Sequence, residues 1–278
     1  MTGIKHYLSR RVNSSLWLAA PAVTLTAFTP RGMHPMMACG PTPAPFVRFG
    51  TAHLAVIALA FALPLALAAM VRKTQNRTFA RMVCAVFAAE LIATWVLWYW
   101  LILSQGWASV ATILPLNLCD WAAIAALVTL IRPNERSYEL AWFWSFSGTL
   151  QALLTPDLAC GFPDPRFLVF FGFHGGVIAS VLYLTVGLGM RPRPRSIPRV
   201  IAWSLAYLML ALATNAVFHT NFGYLSAKPA KPSLLDFLGP WPVYLFALVG
   251  LGLLFIVLLY SPFLLGDLIR GARRRGRG

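Results

Sequence analysis

Acidic residues are scarce: the 278-residue chain holds eight Asp and Glu against 23 Lys and Arg. Charged side chains of both signs reach only 11%, while 59% of residues are hydrophobic. A soluble protein of this length carries far more charge, so composition excludes that class and implies several membrane spans. The four cysteines, Cys39, Cys84, Cys119 and Cys160, form no CxxC pair and no metal-ligand spacing. Three of them, Cys39, Cys84 and Cys160, read as small, mostly buried apolar residues. GxGxxG, Walker and HExxH patterns are absent, leaving no motif-level case for a nucleotide, a cofactor or a metal. The net charge of +15 would point to nucleic acid in a soluble protein. Here the arginines fall between apolar runs and at the C-terminus, where they serve as topology signals and meet anionic lipid headgroups. Membrane lipids are the expected partners, and nucleic acid is not.

Long apolar runs are what the chain does have. They cover roughly 53–71, 80–103, 110–131, 138–157, 168–190, 197–220 and 241–265, each near the ~20 residues that cross a bilayer. None shows the alternation of a lipid-facing barrel strand. The expected fold is an all-α polytopic membrane protein, a seven-transmembrane-helix bundle. Alternate connections carry Arg72, Lys73, Arg77 and Arg81, then Arg132 and Arg136, then Arg191, Arg193, Arg195 and Arg199, and finally the arginines from Arg270 to Arg277. Those are fifteen positive residues, against Arg166, Lys228 and Lys231 in the other connections. The positive-inside rule then puts the C-terminus in the cytoplasm and the N-terminus of the bundle outside. Aromatic clusters WVLWYW and YELAWFW fit membrane interfaces.

Three parts follow: an N-terminal extension (1–45), the seven-helix membrane domain (46–265) and a basic cytoplasmic tail (266–278). The extension holds positive charge on the expected outer side, so it fits the topology poorly. An over-extended start with initiation near Met33, Met36 or Met37, a cleaved signal-like segment and an eighth helix are the three readings.

Topology turns scattered polar residues into a place. Asn117, Cys119 and Asp120 in LPLNLCDW fall in the outer part of span three, behind Pro115. Gln151, Thr155 and Asp157 fall in the outer half of span four, His174 about two turns into span five, and Asn215 and His219 near the outer end of span six. Ionisable groups in hydrocarbon are costly and line a cavity or find partners. This one-sided distribution predicts a polar cavity open to the outer leaflet; only Glu90 lies deeper. Gly175 and Gly176 after His174 mark a close approach by a helix or a ligand.

In acyl chemistry His174 would be the base, Asp120 or Asp157 its orienting acid, and Cys119 the nucleophile, with Thr155 in reserve. Asn117 or Gln151 would supply amide donors. With Thr155, Asp157, Asn215 and His219, these amides make the expected substrate-binding set; no metal is expected. The competing reading is a transporter or binding protein for a small polar solute or lipid headgroup, using the same cavity without covalent chemistry.

The segments FGTAHL, LPLNLCDW, ELAWFWSFSGTLQALLTPDL, FPDPRFLVFFGFHGG and TNFGYLSAKPAKPSLLDFLGPWP resemble the bacterial YwaF-like integral membrane proteins. That family looks distantly similar to the eukaryotic transmembrane protein 164 family, linked to acyl transfer onto ether lysophospholipids through a cysteine. In the relative's Asn-Pro-Cys-His-Leu pattern, Pro115 and Leu118 match, Leu116 falls at the cysteine and Asn117 at the histidine. The nucleophile is therefore not carried over, and Cys119 stands one helical turn on. The later histidine matches at His174, and a GPW element at Gly239 to Trp241. The resemblance implies a seven-helix fold and phospholipid acyltransferase-like chemistry.

Overall fold

A computed structural model of the chain describes residues 44–229 and 232–275, with side chains to 270. The readings made for residues 1–43, for Lys231 and for the last three residues lie outside these described residues.

Among them the secondary structure is helical, apart from one isolated bridge between Pro45 and Cys160. We name seven segments: α1 (Thr51–Thr74), α2 (Arg77–Ser104), α3 (Val110–Ile131), α4 (135–154), α5 (Pro165–Gly187), α6 (Ser196–Phe218) and α7 (Val243–Arg275). Six, all except α4, are long and apolar enough to cross a membrane. The expected seventh run is a helix, but its first half, ERSYELAWFW, is too polar to qualify by composition.

Local chemistry sets the boundaries. Asn76 starts α2 by accepting a hydrogen bond from the Phe79 N–H at 3.0 Å, and Asn134 starts α4 through Ser137 N–H at 2.9 Å. Asp164 caps α5 ahead of Pro165, whose missing N–H costs nothing at the first helical position. α3 breaks over residues 114–117 around Pro115 and restarts at Leu118. π turns at Ser145–Thr149 and Tyr183–Gly187 interrupt α4 and α5. α7 continues as helix to Arg275, so much of the basic tail is helical.

Contacts at the two ends show that the segments alternate in direction. At the arginine-rich end, Tyr183 donates to Ala80 O, while Arg193 pairs with Glu135 and Arg191 with Asp267. There too Arg199 grips Glu139, a carboxylate only 1% exposed, through three hydrogen bonds. At the other end, Trp98 and Tyr99 of α2 donate to Thr112 O and Ile113 O of α3. His53, near the start of α1, is 1% exposed and ties α1 to α4 at this end. Cys160, read from sequence as a lone apolar residue, is buried but disulfide-bonded; Cys84 and Cys119 are free.

α5 is the central helix, with 72% of its apolar window buried, against 22% for α6 and 17% for α7. Its Phe, Val and Gly residues pack on α1, α2, α3 and α4 in one large core. α6 and α7 instead meet the bundle at two places. A cluster of Phe143, Val200, Ile256 and Tyr260 joins them to α4 towards the arginine-rich end. Tyr207, Ala211, Phe222 and Leu225 join them to α3 towards the other end. Between these clusters the packing is open.

Candidate functional site: a cavity between α3–α5 and α6–α7

The opening is a cavity of about 610 Å³, within the range of small-molecule sites. Asn117, Cys119, Asp120, Gln151, Thr155, Asp157 and His174 all line it. Residues from three helices and a loop, separated by up to 57 positions, thus meet in one space. Asn215 and His219 do not line it. Asn215 is 5% exposed and holds the α6–α7 loop: its Oδ1 accepts from Phe222 N–H and its Nδ2 donates to Phe222 O. His219 is the exposed, left-handed C-cap of α6 (φ 52°).

The break in α3 explains much of LPLNLCDW. Asn117 is the N-cap of the restarted helix, and Asp120, three residues on, accepts from the Asn117 N–H at 2.9 Å. This reach-back bond satisfies a donor that the break would otherwise leave in hydrocarbon. Asp120 is therefore a capping carboxylate as well as a cavity residue. It does not orient His174, and neither does Asp157.

The orientation of His174 comes from its own helix. Nδ1 donates to the Phe170 carbonyl at 2.8 Å, and the ring stacks on Phe170 with centroids 4.2 Å apart. A carbonyl only accepts, so Nδ1 carries the proton and Nε2 carries the lone pair. Nε2 makes no hydrogen bond among the described residues and is not enclosed. His53 provides the contrast. Its Nδ1 accepts from Phe49 N–H and its Nε2 donates to Leu153 O, both at 2.9 Å. One histidine is saturated and structural; the other keeps an unspent base at the cavity wall.

Cys119 makes no hydrogen bond to His174, and its thiol has no activating partner among the described residues. Thr155 commits its hydroxyl to Gln151 O at 2.9 Å. The Gln151 amide makes no hydrogen bond and is available to a ligand. The α4 π turn sets Ser147 and Gly148 against the same space, a placement typical of such turns.

The sequence reading missed several wall residues. Tyr207 of α6 lines the cavity, its buried hydroxyl beside the Leu118 backbone at the restart of α3. At the mouth, Tyr224 sits at φ 56° with its hydroxyl 3.4 Å from Asp157 Oδ2, and burial raises its pKa, with the Asp157 charge adding to the effect. Arg166 lines the mouth, pairs with Asp164 at 2.8 Å and lies 5.5 Å from the Trp107 ring centroid. That guanidinium holds the Asp164 carboxyl below the usual carboxylate range. Only an aromatic residue recurring on the inner face of span six could have signalled Tyr207 in advance.

The close approach at FHGG is intramolecular. A Cβ on Gly176 would lie 2.1 Å from Glu90 Oε2, and one on Gly175 would lie 3.6 Å from Ala60. Glu90 fills the room that Gly176 leaves, outside the cavity. Among the described residues, no group of three His, Cys, Asp or Glu could hold a metal ion.

The TMEM164 family model matches residues 48–260, from the turn before α1 into α7. The chain belongs to the TMEM164 family. No curated protein and no solved structure matches it. The TMEM164 match takes in every cavity residue named above, and the bundle is that of a multi-pass membrane protein.

Proposed function

We propose that the cavity is the active site of a lipid-modifying enzyme of the cell membrane, transferring or hydrolysing an acyl group with His174 as general base. The YwaF-like resemblance supports a bacterial setting. All seven segments then span the bilayer, α4 shielded by its neighbours, with the arginine-rich end in the cytoplasm. Fifteen positive residues against three support that orientation, as does the disulfide at Cys160, which belongs on an oxidising side. The cavity mouth faces the outer leaflet.

The observation that carries the reading is the 2.8 Å contact of His174 Nδ1 with the Phe170 carbonyl, which assigns the proton to Nδ1 and leaves Nε2 unprotonated at the wall of a membrane-embedded cavity. In the proposed step, Nε2 takes the proton of an attacking hydroxyl, from water or from an acceptor lipid. The hydroxyl oxygen bonds to the acyl carbonyl carbon, and the Gln151 amide donates to the resulting oxyanion. Collapse breaks the original ester bond, and the leaving alkoxide recovers the proton from His174. This route needs no enzyme nucleophile, which suits a Cys119 that has no hydrogen bond to the base.

Comparative lipid profiling tests it. A deletion strain complemented with the wild-type chain regains its lipid pattern, whereas His174→Gln leaves it altered although the protein reaches the membrane folded. An unchanged profile on deletion, across several growth conditions, refutes the enzymatic reading. The alternative is a non-catalytic transporter or binding protein for a small polar solute or lipid headgroup. The free Gln151 amide and the Tyr207 hydroxyl favour that reading, and ligand binding or flux without product would establish it.

A further inference from the structure

A second cavity, of about 420 Å³, opens at the arginine-rich end between the first turns of α4 and α6. It shares no residue with the cavity of His174. The acceptors on its wall are already spent. Glu139, 1% exposed, takes three hydrogen bonds from Arg199. Asn134 Oδ1 accepts from the Ser137 N–H at 2.9 Å, and the Ser137 hydroxyl bonds to Thr129 at 2.6 Å. The acid next along the chain, Glu135, is paired with Arg193.

The donors are not spent. Arg199 reaches Glu139 sideways, through Nε and Nη2, which leaves both N–H groups of Nη1 uncommitted. Arg136 has no hydrogen bond or ion pair among the described residues, and the Trp203 indole N–H has no acceptor there either. α4 starts at this wall, so the positive end of its dipole adds to the two guanidiniums. Glu139 also fixes the plane of the Arg199 fork, which then loses little freedom on gripping an anion. With two arginines against one acid, the wall keeps a net positive charge. A ligand with several acceptor oxygens and negative charge satisfies it, and a phosphate ester is such a ligand. The remaining wall is apolar: Leu140 is partly buried, and Trp203 stands 52% exposed on α6, a helix able to cross a membrane. Tryptophan on a span favours headgroup level. A soluble anion has no use for that flank, whereas a lipid lays its glycerol on it.

We infer that this pocket binds the headgroup of an anionic phospholipid, its phosphate held between Arg136 and Arg199 and its glycerol laid against Trp203. The site goes beyond the proposed function: it lies at the arginine-rich end, away from the mouth of the His174 cavity, and requires no turnover.

The test uses the full chain in phosphatidylcholine nanodiscs doped with a phosphatidylglycerol that carries a diazirine on its headgroup. After irradiation, adducts are expected on Ser137, Leu140 and Trp203. Arg136 is exposed and unpaired, so Arg136→Gln leaves the fold intact; by removing charged hydrogen bonds it lowers the adducts about tenfold. Arg77→Gln, which removes the same charge at the same end but outside the pocket, leaves them unchanged. Equal losses in the two variants overturn the inference, because diffuse surface charge would then explain the labelling. Adducts that fall only elsewhere overturn it too, as does equal labelling by a phosphatidylcholine bearing the same diazirine. Excess inorganic phosphate leaves the adducts in place; their loss would make the ligand a soluble anion and overturn the lipid assignment. His174→Gln keeps the adducts whether or not the proposed reaction occurs, and their loss there would place the probe in the other cavity and overturn the site.

Discussion

Replacing His53 by Phe keeps an aromatic ring, somewhat larger than the imidazole, against Phe46, Phe49 and Phe171, but removes both hydrogen bonds. Two groups lose a partner. The Phe49 N–H belongs to a residue held at φ 59°, a region that non-glycine residues seldom occupy. The Leu153 carbonyl lies in the last turn of α4, where helical donors run out, and the next turn begins at Pro156, which has no N–H. Leaving a buried group unpaired costs about 1–3 kcal/mol. Hydrogen bonds between membrane helices average nearer ~0.6 kcal/mol, because partners are easily exchanged. Here neither group has a substitute within reach, so we expect about 3 kcal/mol for the pair. At ~2–4 °C per kcal/mol for a chain of this size, the melting temperature should fall by roughly 6–12 °C. Thermal unfolding in detergent, followed by tryptophan fluorescence, measures it, and His53→Gln should recover part of the loss. His174→Phe is the counterpart: Phe170 O sits mid-helix with its backbone donor intact, so melting should barely change. An unshifted melting temperature for His53→Phe would refute the division of the two histidines into structural and functional.

Three further outcomes can be measured with the same preparation. Asp120→Ala removes the reach-back cap of α3 and should cost about 1 kcal/mol, while Asp120→Asn, which still accepts, should cost less; equal losses would show that capping is not its role. Arg199→Ala strands the buried Glu139 carboxylate and should destabilise by about 3 kcal/mol, the low end for a broken buried pair because the arginine is 38% exposed; adding Glu139→Gln should restore most of it. Arg166 lowers the Asp164 pKa, so that pair stabilises the fold fully above the usual carboxylate range and loses its contribution as pH falls through and below it. Asp164→Asn should therefore flatten the acid limb of a melting-temperature profile below about pH 4.

Hydropathy and charge alone mark the helical runs, because span length and arginine placement follow from bilayer thickness and membrane asymmetry. The same one-sided polar distribution points to Asn117, Gln151, Asp157 and His174, which meet in the cavity. Asn215 and His219 share that depth but not that direction. Depth follows from counting residues, whereas the face a side chain presents depends on neighbours far away in sequence. The partner of His174 was misread for a related reason: a backbone carbonyl four residues back is invisible in a search for acids. Gly252 lines the cavity on α7 but left no mark either, since a glycine at an open wall and an exposed one such as Gly250 are identical on paper.

The open packing beside α6 and α7 leaves the proposed site reachable from the bilayer as well as from its mouth. A compound that reaches it sideways never has to leave hydrocarbon, so its abundance in the surrounding leaflet, rather than in water, sets occupancy. Modest greasy molecules that accumulate in membranes would then compete for it as effectively as water-soluble reagents entering at the mouth.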